Sequence, residues 1–222
     1  MTVYAIVGAG RQLGAACARR FAAEGFDIAL LSKNEERVTA LAADLAAETG
    51  RHVRGYAANV REHRTVAEAL DRATQDLGLI EVLQYSPLPS KDFLRPVLET
   101  TVDDYAAAIE FSVYGAVAAC HQVLQGMRVL GRGSMLFING GTAYKPRPRF
   151  AGTTVGFAGE TAYAQMLHEQ LEPENIRVRQ IIIPGSIEPG HPEKDPATLA
   201  KKIWDMHAHS TEFRSFATTM DY

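Results

Sequence analysis

Hydrophobic residues along the chain alternate between short continuous runs and longer periodic segments. The run VYAIV, Val3–Val7, is apolar without interruption, as a strand buried on both faces of a sheet should be. In the segments between such runs, apolar residues recur at helical spacing, and Val38, Leu41 and Leu45 are one such set. Further strands are predicted at residues 26–31, 52–58, 79–85, 134–138 and 176–183, and an edge strand is predicted at 212–218.

Helices are predicted in the intervening segments. Asn34 suits the first position of one helix, and Gly25 and Gly50 suit helix ends. Strands that alternate with helices of this length predict right-handed crossovers and a parallel sheet with helices on both faces. We therefore expect one doubly wound, Rossmann-type α/β domain over residues 1–222, with about seven strands. The predicted helices cover residues 11–24, 34–49, 62–77, 102–127, 150–171 and 196–206.

The composition and net charge limit the kinds of partner that the protein is expected to bind. The chain has 222 residues, 46% of them hydrophobic, which suffices for a full core. A formal net charge of -3 gives no electrostatic reason to expect nucleic acid or an anionic membrane as partner. No apolar run approaches the roughly 20 residues of a membrane span, and the strand-forming start MTVYAIVG predicts no leader.

Cysteine and histidine usage predicts neither disulfide nor metal. Cys17 and Cys120 lack CxxC spacing and fall in predicted helices, so buried reduced thiols and a cytoplasmic location are expected. His207 and His209 are close in sequence, but this spacing on a helix end diverges and no carboxylate cluster accompanies them.

The first strand leads into a glycine-rich loop, GAGRQLG, residues 8–14. Glycines between a strand and a helix let backbone amides approach a pyrophosphate at the helix's positive end. The dinucleotide fingerprint GxGxxG would need glycine where Leu13 stands. Gly8 and Gly14 instead match the outer glycines of a GxxxGxG spacing, whose middle position is Gln12.

This loop and four later segments resemble the short-chain dehydrogenase/reductase family, and the resemblance covers nearly the whole chain. The segments are Asn59-Val60, the long helix near residues 102–127, ENIRVRQIIIPGSI (174–187) and PATLAKKIWDMH (196–207). The resemblance implies a nicotinamide dinucleotide cofactor and carbonyl–alcohol chemistry. It also implies cofactor-binding roles for Gly8, Gly10, Arg11, Gln12, Leu13, Gly14, Lys33, Asn59, Val60, Pro184, Gly185 and Ile187.

The residues expected near the adenosine favour NADP(H) over NAD(H). After the second strand the chain reads Ser32-Lys33-Asn34, with no acidic residue for a ribose 2′-hydroxyl. Arg11 and Lys33 would suit a 2′-phosphate, although two solvated surface cations are the alternative. Asn59 stands where the family places an acidic residue against adenine.

The family's usual catalytic residues are replaced. Alignment through the helix of residues 150–171 places the family's tyrosine at Thr153 and its lysine at Phe157. The resemblance places the serine at Gly140 and the asparagine at Ser112. An unassisted threonine hydroxyl exchanges protons too slowly, and phenylalanine cannot lower a neighbour's pKa, so the ordinary mechanism is absent.

Other residues are expected to line a substrate pocket. The predicted pocket residues are Tyr85, Gly140, Thr142, Tyr144 and Thr153. Tyr144 beside Lys145 suggests an acid–base pair, but adjacent residues often point apart. Lys145, Arg147 and Arg149 alternate with prolines and would suit a carboxylate or phosphate, so a small, anionic substrate is one expectation and a merely solvated loop the other.

Three functions remain open from the sequence. The first is an NADP-dependent oxidoreductase of an unidentified carbonyl or alcohol, the reading we favour. The second is a catalytically inactive nucleotide- or partner-binding protein, and the third a non-redox enzyme on the same scaffold. The resemblance further implies a homodimer or homotetramer packed through the long helix and residues 153–171, where Ala158, Gly159, Thr161 and Ala162 are small.

Overall fold

A wholly parallel, seven-stranded sheet forms the centre of the computed structural model, which describes residues 2–220; residues 1, 221 and 222 of the predicted domain lie outside the described part. The spatial order is β3-β2-β1-β4-β5-β6-β7, so the direction of winding changes between β1 and β4. In chain order the strands are β1 (Val3–Val7), β2 (Asp27–Ser32), β3 (Val53–Ala57), β4 (Ile80–Tyr85), β5 (Gly133–Gly140), β6 (Ile176–Ile183) and β7 (Arg214–Phe216).

Residues 2–220 contain seven α-helices, six of which cover the two faces of the sheet. One core cluster joins α1, α2 and α7 to one face, and a second joins α3, α5 and α6 to the other. The predicted fold class, a doubly wound Rossmann-like domain, is therefore confirmed. The helices are α1 (Leu13–Ala23), α2 (Glu35–Thr49), α3 (His63–Leu77), α4 (Val102–Ile109), α5 (Gly115–Leu130), α6 (Ala151–Leu171) and α7 (Pro196–Ala208).

The sequence of β1 is continuously apolar because both faces of this strand are buried. Tyr4 and Ile6 belong to one core cluster, whereas Val3, Ala5 and Val7 belong to the other. Successive side chains of a strand point to opposite faces, so both sets must be apolar when helices cover both faces. The strand ends where the glycine loop begins, which brings that loop to the carboxyl edge of the sheet.

The long helix predicted at residues 102–127 is continuous but not uniform. A π-helical segment, Glu110–Tyr114, joins α4 to α5, and the helix runs on to Leu130. The combined Val102–Leu130 helix is weakly apolar and as long as a membrane span, but it is not a convincing membrane-spanning segment. Its apolar residues pack against the sheet, α3 and α6, and that packing accounts for its composition.

Both cysteines are buried and neither forms a disulfide, as predicted. Burial raises the pKa of the Cys17 thiol to about 12, so this thiol is inert. Within residues 2–220 no group of three His, Cys, Asp or Glu side chains is placed to hold a metal ion. His207 is instead buried beside the Ser134 hydroxyl, and burial lowers its pKa to about 4.

Candidate functional site

A cavity of about 1140 Å³ lies at the carboxyl ends of β1, β4, β5 and β6. It adjoins the point where the winding direction changes, which is where ligands bind in open α/β sheets. Its wall combines the glycine loop after β1 with the segments that follow β4, β5 and β6. These wall segments are residues 8–14 (without Ala9), 86–89, 138–142, 147–150 and 183–187, together with Leu94, Thr153, Phe157 and Met220.

The glycine loop has a geometry that requires its first glycine. Gly8 has φ of 88°, a left-handed conformation that residues with a β-carbon rarely adopt. A β-carbon at Gly8 would also lie 2.4 Å from Cα of Pro87, closer than packing allows. The loop is held to the sheet because the amides of Gly8 and Ala9 both donate to the carbonyl of Leu31.

The amides that follow form a cradle. Within residues 2–220, no protein acceptor takes a hydrogen bond from the backbone N–H groups of residues 10–14. The next amide, that of Ala15, donates to the carbonyl of Gly10 and continues into α1. A β-carbon built on Gly10 meets nothing within 4 Å. Unpartnered amides at the positive end of a helix, facing open space, fit the pyrophosphate of a dinucleotide.

The residues predicted at the adenosine end lie outside the cavity wall, except Arg11. Arg11 is exposed, and its guanidinium stands 3.4 Å from the Asp44 carboxylate of α2. Lys33 is exposed beyond the end of β2. Asn59 donates to the Glu62 carboxylate at 2.7 Å at the start of α3, and Val60 packs beside a small apolar cluster. Their cofactor roles stay predictions.

The structure brings three of the four replaced catalytic positions together in the cavity. Gly140, Thr153 and Phe157 all line its wall. The Thr153 hydroxyl donates to the carbonyl of Phe150 in its own helix, at 3.2 Å. Ser112 lies outside the wall, buried in the π-helical segment. A β-carbon on Gly156 would come within 2.7 Å of its hydroxyl oxygen, so Ser112 is tightly packed against α6.

Two of the predicted pocket residues are placed elsewhere. Tyr85 is buried in the core, where its hydroxyl donates to the carbonyl of Phe111, because the last residue of β4 faces α5. Tyr144 packs edge-on against Phe216 of β7, with ring centroids 4.9 Å apart, so its side chain is held towards the sheet edge. Neither residue lines the cavity, whereas Gly140, Thr142 and Thr153 do, and a role in substrate binding stays a prediction for all five.

A buried polar network behind the wall was missed by the sequence analysis. The Asn139 amide donates to the Glu160 carboxylate at 2.9 Å and accepts from Gln180 at 2.9 Å. Gln180 also donates to Thr161 and accepts from Arg214. A sequence signal existed, because Glu160 continues the buried face of α6 that Thr153 and Phe157 begin.

Glu160 is held in its protonated form at neutral pH. Its side chain is buried, and burial raises its pKa to about 8, while the hydrogen bond from Asn139 partly opposes that shift. Tyr85 and Cys120 also interact with Glu160, and burial raises the pKa of each, so both are neutral as well. The network therefore places an uncharged acid one side chain behind the cavity wall, since Asn139 lines it.

The chain belongs to the short chain dehydrogenase family, whose model matches residues 2–199. A curated relative, the 2,3-dihydro-2,3-dihydroxybenzoate dehydrogenase of Bacillus subtilis, is 30% identical over 185 residues, covering 82% of this chain and 69% of the relative. The chain spans 43% to 69% of the length of the first four curated relatives that it matches.

Solved structures share the fold. The L-sorbose reductase of Gluconobacter frateurii, complexed with NADPH and L-sorbose, superposes with a TM-score of 0.85 at 20% identity, covering 97% of this chain and 96% of that one. An NAD+-bound xylitol dehydrogenase superposes with a TM-score of 0.76 at 26% identity, covering 91% of this chain and 83% of that one.

Proposed function

We propose that the protein is an oxidoreductase that interconverts a carbonyl compound and an alcohol with a nicotinamide dinucleotide. The observation that carries this proposal is the run of unpartnered amides at residues 10–14, which opens into the same cavity as Gly140 and Phe157. When bound, the nicotinamide supplies or accepts the hydride. The chain's own residues bind the dinucleotide and orient the substrate against it. The L-sorbose reductase structure contains NADPH and the xylitol dehydrogenase structure contains NAD+, which agrees with such a cofactor.

We favour NADP(H) among the nicotinamide cofactors. Arg11 lines the cavity beside the glycine loop, and Lys33 lies exposed after the neighbouring strand. Both are cations, and Ser32-Lys33-Asn34 at the end of β2 contains no acidic residue to accept a ribose 2′-hydroxyl. The Asp44 carboxylate would compete with a 2′-phosphate for Arg11. Because the Asp44 side chain is 63% exposed, this ion pair is weak, and a phosphate can replace the carboxylate.

Substrate positioning then compensates in part for the missing tyrosine and lysine, and solvent water supplies the proton that converts the alkoxide into the alcohol. Thr142 follows Gly140 closely on the wall, and its hydroxyl has no hydrogen-bond partner in the described part of the chain. We assign it the task of donating to the substrate's carbonyl oxygen. Hydride transfer between carbons held in contact benefits from positioning alone, so turnover is slow but not lost.

A nucleotide-binding protein without turnover is the second candidate. The observation that favours it is the Thr153 hydroxyl, which is directed at the Phe150 carbonyl rather than at a ligand. Phe157 beside it carries no charge. In that case the dinucleotide would bind with ordinary affinity, and no carbonyl compound would be reduced.

We further propose a homodimer or homotetramer and a cytoplasmic location. Two unpaired, buried cysteines support the location, since thiols persist in reducing compartments. An exposed stripe of small and apolar residues on α6 supports the assembly. Its members, spaced three or four apart, are Val155, Ala158, Ala162 and Met166, with Gly159 beside them.

The test of the proposed function is a cofactor titration followed by nicotinamide fluorescence. NADPH is expected to bind the parent chain. Gly10→Ala, whose methyl group enters the open space of the cradle, is expected to weaken binding at least ten-fold while the fold stays intact. Gly126→Ala on α5, whose β-carbon meets only the flexible Leu79 side chain, is the matched control and leaves binding unchanged. Absence of NADPH and NADH binding by the parent would overturn the proposal.

A further inference from the structure

The cavity wall has an unbalanced charge. Three arginines, Arg11, Arg147 and Arg149, stand on it, and none of its described residues is an aspartate or a glutamate. Arg11 belongs to the glycine loop, whereas the other two come from the segment between β5 and α6. The cavity therefore has a second cationic position, separate from the dinucleotide cradle.

Arg147 and Arg149 lack the partners that surface arginines of this protein usually have. Within residues 2–220 neither forms an ion pair, whereas ten other arginines do. Arg95 shows the contrast, because it lies beside the same segment and donates to both oxygens of Asp104 at 3.0 Å. Two arginines on a cavity wall that has no carboxylate leave its positive charge unbalanced, and an anionic ligand would neutralise that charge.

The backbone that carries the two arginines is fixed. Pro146 and Pro148 restrict it, and the Pro148 carbonyl accepts from the amide of Val97 at 2.8 Å. The amide and carbonyl of Arg147 both bond to the Thr154 hydroxyl of α6, at 3.3 Å. A ligand that binds here orders only side chains, which lowers the entropic cost of binding.

The wall beside the arginines is apolar and exposed to solvent. Leu88 is 90% exposed, Leu94 43% and Phe150 39%, and all three line the cavity. Large apolar side chains grouped in this way at a cavity mark a binding surface. An apolar ligand body that covers them removes their surface from water, and this burial favours binding.

We propose that the substrate is an apolar carbonyl compound that carries one anionic group, with that group held by Arg147 and Arg149. The apolar body lies against Leu88, Leu94 and Phe150. Only the carbonyl part of this proposal rests on the proposed function; the anchoring of an apolar anion does not. The anionic group is a carboxylate or a phosphate, which share the bidentate geometry that a guanidinium recognises.

The proposal is tested by isothermal titration calorimetry with the full chain and no nicotinamide present. The probes are decanoate, decyl phosphate, decan-1-ol and inorganic phosphate. The variant is Arg147→Ala/Arg149→Ala, and Arg37→Ala, an exposed arginine of α2 without an ion pair, is the matched control. Unfolding midpoints of all variants verify that the fold is kept.

The parent is expected to bind decanoate or decyl phosphate about 10- to 100-fold more tightly than decan-1-ol. The double variant loses this advantage, binding of decan-1-ol stays unchanged, and Arg37→Ala has no effect. Whichever decyl anion binds more tightly identifies the head group. Equal affinity for decanoate, decyl phosphate and decan-1-ol would overturn the proposal. The proposal would also be overturned if decyl phosphate bound no better than inorganic phosphate. A loss of decyl-anion binding in Arg11→Ala but not in the double variant would overturn it as well. Because no cofactor is present, failure here is distinct from failure to bind NADPH.

Discussion

The ring of Phe157 lies directly in front of Gly140: a β-carbon built on Gly140 would stand 3.6 Å from Cε2 of Phe157. That separation is an ordinary van der Waals contact, so the backbone of β5 leaves room for a side chain at this position. The contact also shows that the two positions, 17 residues apart in sequence, form one surface of the cavity. A lysine at position 157 would have to occupy space shaped by this ring.

Restoring two of the family's usual residues is expected to leave carbonyl reduction near background. Thr153→Tyr/Phe157→Lys returns an acid and a cation, but Gly140 still offers no hydroxyl. Both replaced positions are buried, so the new side chains enter a packed site. Residues that act as a unit contribute little until all are present. NADPH oxidation with aldehydes, ketones and quinones measures the outcome.

The quadruple variant, which adds Gly140→Ser and Ser112→Asn, tests whether the missing serine and asparagine also limit carbonyl reduction. Gly140→Ser is expected to be tolerated, whereas Ser112→Asn overpacks the contact with Gly156 and costs about 1–3 kcal/mol of stability. The triple variant without Ser112→Asn is the control for folding. High activity in the double variant would show that a hydroxyl at position 140 is dispensable.

Cofactor preference is expected to depend on Arg11 and Lys33. Arg11→Ala/Lys33→Ala should weaken NADPH about ten-fold or more and NADH little, because only NADPH carries the 2′-phosphate. Asp44→Asn removes the exposed carboxylate 3.4 Å from Arg11 and should tighten NADPH modestly. Fluorescence titrations of each variant with both cofactors measure these changes. Equal weakening of NADPH and NADH, or tighter NADH binding by the parent, would contradict the preference.

Stability is expected to fall as pH rises towards 8 because of Glu160. Its pKa in the fold is about 8, and in the unfolded chain it is about 4.5. Between these values the native protein keeps a Glu160 proton that the unfolded chain releases, so the contribution of Glu160 to stability declines as pH rises and levels off above 8. His207 acts in the opposite direction below about pH 6.5, because burial lowers its pKa to about 4, so the net decline is expected between about pH 6.5 and 8. Glu160→Gln should remove this slope. The free energy of unfolding of the variant minus that of the parent should be a few kcal/mol larger at pH 8 than at pH 4.5.

Thermal or urea unfolding at several pH values between 4.5 and 9 measures that slope. Glu169→Gln, an exposed glutamate on the same helix, is the matched control and should leave the slope as it is in the parent. A Glu160→Gln variant whose difference in stability from the parent stays constant between pH 4.5 and 9 would show that Glu160 is not held protonated.

Assembly is expected to depend on the exposed stripe of α6. Ala162→Glu/Met166→Lys places charges on the stripe without touching the core, since both positions are exposed. The variant should sediment as a monomer at micromolar concentration, whereas the parent sediments as a dimer or tetramer. Ala43→Glu on α2 is the control. The Thr161 hydroxyl accepts a hydrogen bond from Gln180 within the fold, so Thr161 is left unchanged in this variant. A monomeric parent would refute the expectation.

The sequence predicted the sheet because central strands such as β1 are buried on both faces and therefore continuously apolar. The glycine loop could also be predicted from the sequence, because Gly8 adopts a backbone conformation that favours glycine. The sequence could not give the orientations of Tyr85 and Tyr144, because these depend on contacts with Phe111 and Phe216, which are distant in sequence. The Glu160 network was missed for the same reason: its partners come from three different strands.

The account's central claim is that this cavity transfers hydride despite its replaced catalytic residues. The most direct measurement uses NADPH deuterated at C4 of the nicotinamide, in its two stereoisomeric forms, with the parent chain and a panel of apolar carbonyl compounds with and without an anionic group. We predict that mass spectrometry finds deuterium in the alcohol product from one of the two forms only, and more of it with the anionic compounds. No deuterium in any alcohol, from a chain that binds NADPH tightly, would contradict the claim and identify a nucleotide-binding protein without turnover.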